Sequence, residues 1–373
     1  LSVAPEKTGC KLIITDNSAS GNGYLMNQWA SASNLTCAQV NNGELILQGG
    51  AIKVNNTAAG NNAIGVTIAA NGTFTMLGGT VESKKEKVAT DGATITGGTA
   101  SGIYVYGTAN LSGGTVNVSH PTNQAIGIYT FNGTTGVANI EEGLTVNVNG
   151  KANSYGIYGY GTANIDGGNF TITTTGNTAV GMYPHRRYEV TGNIHVTGNP
   201  TFNIQAAGYA HAVKLDNTGV WIDSETGSLT FDATGVKTTI DGGTYNTTAT
   251  GVSGTTSGGD AYFYANAIGI YNCRNGEVTV NGGTFTTKGK GDGVWSIRGD
   301  NGSTTTINDG SFTTTTNVVA ASEASTRANK YYNVEGVRIW YGLATTININ
   351  GGTFLGPATQ HFVPHSLPPW PRE

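Results

Sequence analysis

The sequence predicts an all-β chain wound as a single parallel β-helix, in which each turn of the chain adds short strands to a continuous stack. Three observations carry this reading. A short motif centred on one glycine recurs along the chain, a Gly-Gly pair followed by alternating residues recurs between its copies, and the copies are one three-stranded coil apart.

The first motif is small-apolar-Gly-apolar-aromatic: Ala125-Ile-Gly-Ile-Tyr129, Ser154-Tyr-Gly-Ile-Tyr158, Ala179-Val-Gly-Met-Tyr183 and Ala267-Ile-Gly-Ile-Tyr271, with looser copies at Gly65, Gly102, Gly293 and Gly336. The second is Gly-Gly-Thr with alternation after it, as in Gly113-Gly-Thr-Val-Asn-Val, Gly167-Gly-Asn-Phe-Thr-Ile, Gly242-Gly-Thr-Tyr, Gly282-Gly-Thr-Phe and Gly351-Gly-Thr-Phe. A third short strand such as Thr162-Ala-Asn-Ile165 lies between them. The central glycines at 102, 127, 156 and 181 are 25, 29 and 25 residues apart, which fits three strands and three turns. Alternation with period two assigns the apolar set inward. The Gly-Gly pairs mark corners, where positive φ or close backbone approach excludes side chains. Asp166, Asp241 and Asp309, just before corners, read as turn formers.

Longer steps, from Gly181 through Ala212 to Gly269 and from Gly293 to Gly336, require an extra coil or projecting loops. Candidate loops are Pro184–Tyr188, Thr248–Gly259 and Val318–Tyr332, and the charged run Ser83–Lys87 reads as a solvated hairpin. The expected organisation is a non-repeating N-terminal cap over residues 1–45, β-helix repeats over 46–356, and a Pro-rich tail over 357–373.

Charged residues are only 11% of the 373, glycine contributes 57 and the net charge is −4, with no long basic stripe, so nucleic acid is not expected as a partner. No stretch is apolar enough to insert in a membrane. Leu1 begins no signal peptide, so an export signal and any anchor are expected outside this chain. Of three cysteines, Cys10 and Cys37 lie close together before the repeats and are expected to form a disulfide in an oxidising compartment, leaving Cys273 reduced. No zinc or iron–sulfur spacing occurs, His361 and His365 lack an obvious third ligand, and no cofactor or metal is expected.

Coils reading Gly-Ile-Tyr, Thr-Ala-Asn-Ile and Gly-Gly-Thr-Phe resemble the pectin-lyase-like passenger domains of monomeric bacterial autotransporters, the group that contains self-associating and host-binding adhesins. The resemblance spans roughly residues 46 to 356. It implies a right-handed β-helix exported through an outer-membrane barrel that lies outside this chain, and a place on the bacterial surface or in the medium. Passengers of the serine-protease branch carry Gly-Asp-Ser-Gly-Ser. Here the nearest string is Gly299-Asp-Asn-Gly-Ser303, with Asn301 where the nucleophile belongs, so protease activity is not expected.

Parallel β-helices also suit polysaccharide lyases and hydrolases, which need paired carboxylates or a calcium site with a base nearby. The densest acidic region, Asp216, Asp223, Glu225 and Asp232 with His211 and Lys214 upstream, is the candidate for such chemistry; solvated turn residues are the plainer alternative. Arg298-Gly299-Asp300 matches the integrin-binding tripeptide, and Lys290-Gly291-Asp292 nearly repeats it.

Strand period applied to the glycine motif places Ile103, Ile128, Ile157, Met182, Val213, Ile270, Val294 and Val337 in one inward column. Two and four residues after each glycine the side chains then face outward: Tyr104 and Tyr106, Tyr129 and Phe131, Tyr158 and Tyr160, Tyr183 and His185, and later Tyr271, Trp295 and Trp340. The alternative is that the aromatics form the inner set. Together these features predict a non-enzymatic extracellular adhesin that binds host-surface glycans or proteins through an aromatic stripe and projecting loops. Self-association with another copy is the next alternative, and a polysaccharide lyase or hydrolase the third.

Overall fold

A computed structural model describes residues 1–4, 9–18, 21–31, 33–86, 97–131, 135–187, 190–215, 221–222, 229–230, 233–255, 261–264, 266–289, 293–316, 333–339 and 344–356. Among them there is no helix, and hence none long and apolar enough to cross a membrane. Twenty-nine strands form one parallel sheet. Four of them, Leu35–Leu47, Ala63–Met76, Thr108–His120 and Val137–Gly150, run on across a corner and serve two faces. Each of three faces therefore carries eleven strands, and the described residues form a parallel β-helix of eleven coils. At about 4.8 Å per coil the stack is about 50 Å long.

Face A holds the single-glycine motif, for example Thr99–Val105, Gln124–Thr130, Asn153–Gly159 and Thr178–Pro184 in coils 4 to 7, then Tyr209–Leu215, Asn266–Asn272, Gly293–Gly299 and Asn333–Ile339 in coils 8 to 11. Face B holds strands such as Thr162–Ile165, and face C strands such as Asn169–Thr174. Corresponding residues stack in register: Ala125 on Ser154, Ile128 on Ile157, and Tyr129 on Tyr158.

Alternation decides what fills the interior. On face C the inward positions stack Phe170, Phe202, Tyr245, Phe285, Phe312 and Phe354 with nearly parallel rings, centroids 4.2 to 5.5 Å apart. On face A the column Ile103, Ile128, Ile157, Met182, Val213 and Ile270 is sealed from solvent. Outside, asparagines ladder from coil to coil: Asn164 donates to Asn139 and Asn139 to Asn110, each at 2.9 Å. The B-to-C corners turn on the Gly-Gly pairs. Gly114 has φ +86°, and a Cβ there would lie 2.7 Å from the Gly79 carbonyl oxygen. Beside these corners Asp309 accepts from the Gly310 N–H and Asp241 from Asn281, both at 2.7 Å, as turn acids do.

Two of the long steps are projecting hairpins and not extra coils. Arg186–Arg187 pairs antiparallel with Val190–Thr191, and Trp221–Ile222 with Leu229–Thr230, both at the A-to-B corner. A third hairpin, Val252–Thr255 with Ala261–Tyr264, leaves the C-to-A corner. Residues 318–332 and the tail 357–373 lie outside the described residues.

Several expectations are corrected. Residues 1–45, expected to be a cap that lacks the repeat, carry ladder strands: Ser2–Val3 pairs with Gln39–Val40, Lys11–Ile14 with Glu44–Leu47, and Tyr24–Trp29 with Ala51–Asn56. The motif is hidden there because Cys37 takes the place that Gly65 holds in the next coil, its neighbours Thr36 and Ala38 pairing with Ile64 and Val66. The Cys10–Cys37 disulfide is absent. Cys10 is exposed and free, whereas Cys37 points inward with its Sγ 3.5 Å from the Leu25 carbonyl oxygen. The run 83–86 is no solvated hairpin: Ser83 is inside the stack, and Lys85 is buried with its Nζ donating to the Ala58 and Asn61 carbonyls.

Candidate functional site

The site is created by the central glycine of face A. In a regular strand, residues three apart point to opposite faces. Yet the rings of Tyr155 and Tyr158 lie 4.9 Å apart, and the Arg298 guanidinium lies 5.3 Å from the Trp295 ring. Alternation must therefore break at the residue between, and the ladder does skip it: Ile126 pairs with Tyr155 and Ile128 with Ile157, passing over Gly127 and Gly156. Only glycine fits. A Cβ on Gly102 would come 2.6 Å from the Gly127 carbonyl oxygen, and one on Gly156 the same distance from that of Gly181. The outer surface of face A thus collects the residue before the glycine as well as the residue two after it.

In coils 4 to 7 the second of these columns is Tyr104, Tyr129, Tyr158 and Tyr183, with successive centroids 5.2, 4.9 and 5.3 Å apart and rings near perpendicular. Beside it, at the A-to-B corner, run Tyr106, Phe131, Tyr160 and His185. The columns interlock. Phe131 stacks between Tyr106 at 4.2 Å and Tyr129 at 3.8 Å, and His185 lies 4.7 Å from Tyr158. Such aromatic pairs each contribute about 0.5–1.5 kcal/mol beyond area burial.

The eight residues of the expected stripe are thus brought together, but they divide. Tyr104, Tyr129, Tyr158 and Tyr160 keep part of each ring exposed, and Tyr106 is the most open at 36%. Phe131, Tyr183 and His185, at 6%, 4% and 8% exposure, are buried beneath their neighbours and lie outside the interior core cluster. They form a second apolar layer that fixes the exposed rings. Burial pushes the phenol pKa values of Tyr104, Tyr129 and Tyr158 up, so their hydroxyls stay protonated hydrogen-bond donors. Burial also holds His185 down, to about 4, so it is neutral at physiological pH.

The sequence reading missed the column before the glycine, which holds Ile126, Tyr155, Val180, His211, Ile268 and Trp295. The apolar pairs flanking each glycine were the available signal, since strict alternation cannot bury both members on one side. It also misplaced coil 10. Ser296, not Gly293, is the counterpart of Gly269, so Ile297 and not Val294 continues the inward column, and Trp295 pairs with Ile268. Trp340 lies outside the described residues.

Beyond Tyr183 the outward column continues as Lys214, Tyr271, Arg298 and Arg338. Each cation lies over a ring: Lys214 over Tyr183 at 5.2 Å, Arg298 over Tyr271 at 5.0 Å, and Arg338 over Trp295 at 5.5 Å. At the corner Arg187 covers Tyr160 at 5.6 Å and donates to its hydroxyl at 3.2 Å.

The integrin-type tripeptide is corrected. Arg298 and Gly299 end a ladder strand, and Asp300 is 2% exposed with its carboxylate held by Arg298 at 2.8 Å. A motif whose charges satisfy each other inside the fold presents no carboxylate to a partner. Lys290-Gly291-Asp292, the acids Asp216, Asp223, Glu225 and Asp232, and His361 with His365 lie outside the described residues. Among the described residues no three His, Cys, Asp or Glu side chains gather as a metal site. Comparison of the chain with protein-family models, curated proteins and solved structures finds no match in any of the three.

Proposed function

We propose that this chain is an extracellular bacterial adhesin that binds glycans or proteins of a host surface through the outer surface of face A and the hairpins beside it. The observation that supports this is the two-column aromatic sheet over coils 4 to 7, partly exposed and braced from below by Phe131, Tyr183 and His185. A contiguous exposed aromatic patch marks an interaction surface. Tyrosine offers a broad contact at small entropic cost, with a hydroxyl at its edge to orient a polar ligand. The sheet has the form of a long shallow surface, so strength would come from many weak contacts repeated from coil to coil. The resemblance of the repeat style to autotransporter passengers is what favours an extracellular surface in this reading.

The test is attachment of the purified chain to glycan arrays and cultured host cells, with Tyr104, Tyr106 and Tyr160 replaced by Ser. These rings are exposed enough to change without emptying the layer beneath. Attachment is expected to fall at least about tenfold, the scale of losing one binding hot spot. Unchanged attachment by the folded variant sinks the reading. A bead assay with the same variant separates binding to a host surface from binding between copies.

A further inference from the structure

Exposed apolar side chains gather at the two ends of the stack. Among the described residues, every exposed large apolar side chain except Leu77 and Tyr106 lies in or next to the first coil or in the last. The first coil is made of Ser2–Val3, Lys11–Ile14 and Tyr24–Trp29, and the last of Asn333–Ile339, Thr346–Ile349 and Thr353–Leu355. Among the described residues each of these strands has a ladder partner on one side only. The other edge carries backbone groups ready to pair, which is how a bare edge recruits another chain. Solenoids that remain single close their ends with polar caps, whereas the inward positions of both end coils here are apolar.

The two ends also match each other. The ladder keeps its register from coil to coil, so each position of the first coil has a counterpart in the last. On face B, Leu12 and Ile14 begin the columns that end in Ile347 and Ile349. On face A, Val3 begins the column that ends in Ile339. On face C, Leu25 begins the column that ends in Phe354. A second copy set on the last coil therefore continues every strand in the same direction and brings apolar side chains together on all three faces. One coil has 25 to 29 residues, which is the share each partner gives to a standard interface, about 20–30 residues.

We propose that this chain stacks head to tail, the first coil of one copy on the last coil of the next, so that the parallel ladder and the apolar interior run on between copies. The contact joins unlike ends and leaves one of each free, so it builds open filaments and not closed dimers. It uses neither the aromatic face nor the ligand of that face. In such a filament face A recurs in every copy, and weak contacts made there add along its length.

The same register supplies a chemical marker. Cys10 is exposed and free and directly precedes the first face B strand, while Thr345 holds the corresponding place before the last one. Within one copy the two stand at opposite ends of the stack. Across the contact they face each other about 4.8 Å apart, within the span that a disulfide bridges.

The experiment follows sedimentation of the full chain from about 1 to 100 μM, the weak end of what an interface of this size sustains. Species larger than a dimer are expected to grow with concentration. Leu12 and Ile349 are 37% and 46% exposed in a single copy, so Leu12→Glu and Ile349→Glu charge one end each without entering the core. Each variant, with its fold checked by circular dichroism, is expected to need at least about tenfold more protein to assemble. A mixture of the two should form dimers and nothing larger, because each keeps the end that the other has lost. Under mild oxidation Thr345→Cys should give a ladder of covalent multimers that Cys10→Ser in the same chain abolishes. If a glutamate variant does not fold, the thiol result decides alone. A single species of monomer mass throughout, its ends covered by other residues of its own chain, overturns the inference. So does assembly that both glutamate variants leave unchanged, or a mixture that forms no dimer. Covalent dimers through Cys10 alone, with no multimers from Thr345→Cys, indicate contact between like ends and overturn it too.

Discussion

Tyr155 and Tyr158 are three residues apart on one strand, and their rings meet 4.9 Å apart on the same side of the sheet. That contact exists because Gly156 lets the next coil's backbone approach where a side chain would otherwise stand. Replacing Gly156 by Ala sets a Cβ 2.6 Å from the Gly181 carbonyl oxygen and 3.2 Å from Ile172. The expected cost is about 1–3 kcal/mol, as for overpacking elsewhere. It should appear as a lower denaturant midpoint and as lost near-ultraviolet dichroism from the tyrosine layer. A midpoint equal to that of the parent chain would show that coil 6 tolerates a side chain at this position, as coil 10 does with Ser296.

The interior ring stack gives a second expectation. Phe202 lies between Phe170 and Tyr245 and is fully buried, so Phe202→Ala removes contacts on both sides of the ring. A loss of about 3–5 kcal/mol is expected. Phe131→Ala, in the outer layer, should cost less and should also disturb Tyr106 and Tyr129, which stack on it. Chemical denaturation of the two variants, followed by tyrosine fluorescence, distinguishes the layers.

Acid should weaken the aromatic face. His185 has its pKa lowered from 6.5 to about 4 by burial, so above pH 6.5 it is neutral folded or unfolded and costs nothing. As pH falls from 6.5 towards 4 the unfolded chain takes up a proton that the native chain does not, and native stability declines by at most about 3.4 kcal/mol before levelling below 4. His211 and His120 are also held down by burial and act in the same direction. His185→Phe should flatten part of this slope when unfolding midpoints at pH 7 and pH 4.5 are compared. An identical slope in the variant would remove His185 as its source.

Thiol chemistry tests the N-terminal coils. Cys10 is exposed while Cys37 and Cys273 are buried, and burial raises the Cys37 thiol pKa. Titration of the native chain should find one rapidly reacting thiol, and denaturation without reductant should reveal three. One thiol after denaturation would instead indicate a Cys10–Cys37 bond.

The sequence by itself determined the architecture. Period-two alternation, Gly-Gly corners and a motif step of 25 to 29 residues admit one economical solution, a stack of three-stranded coils, because no single strand can bury its own apolar side. The orientation of Ile103, Ile128 and Ile157 followed from the same periodicity. What only the tertiary structure decided depends on contacts between coils. Which residue of coil 10 stands on Gly269 is set by how Ile297 stacks on Ile270, and the local motif at Gly293 pointed elsewhere. Whether a tyrosine is surface or support is set by its neighbours one coil away, so Tyr104 is partly exposed and Tyr183 is covered though they hold the same motif position. Asp300 turned inward to Arg298, and Cys37 took the place of a glycine, for the same reason. Each position is defined by a side chain or backbone group a full coil away, and such a pairing leaves no mark in the local sequence until the register of the stack is known.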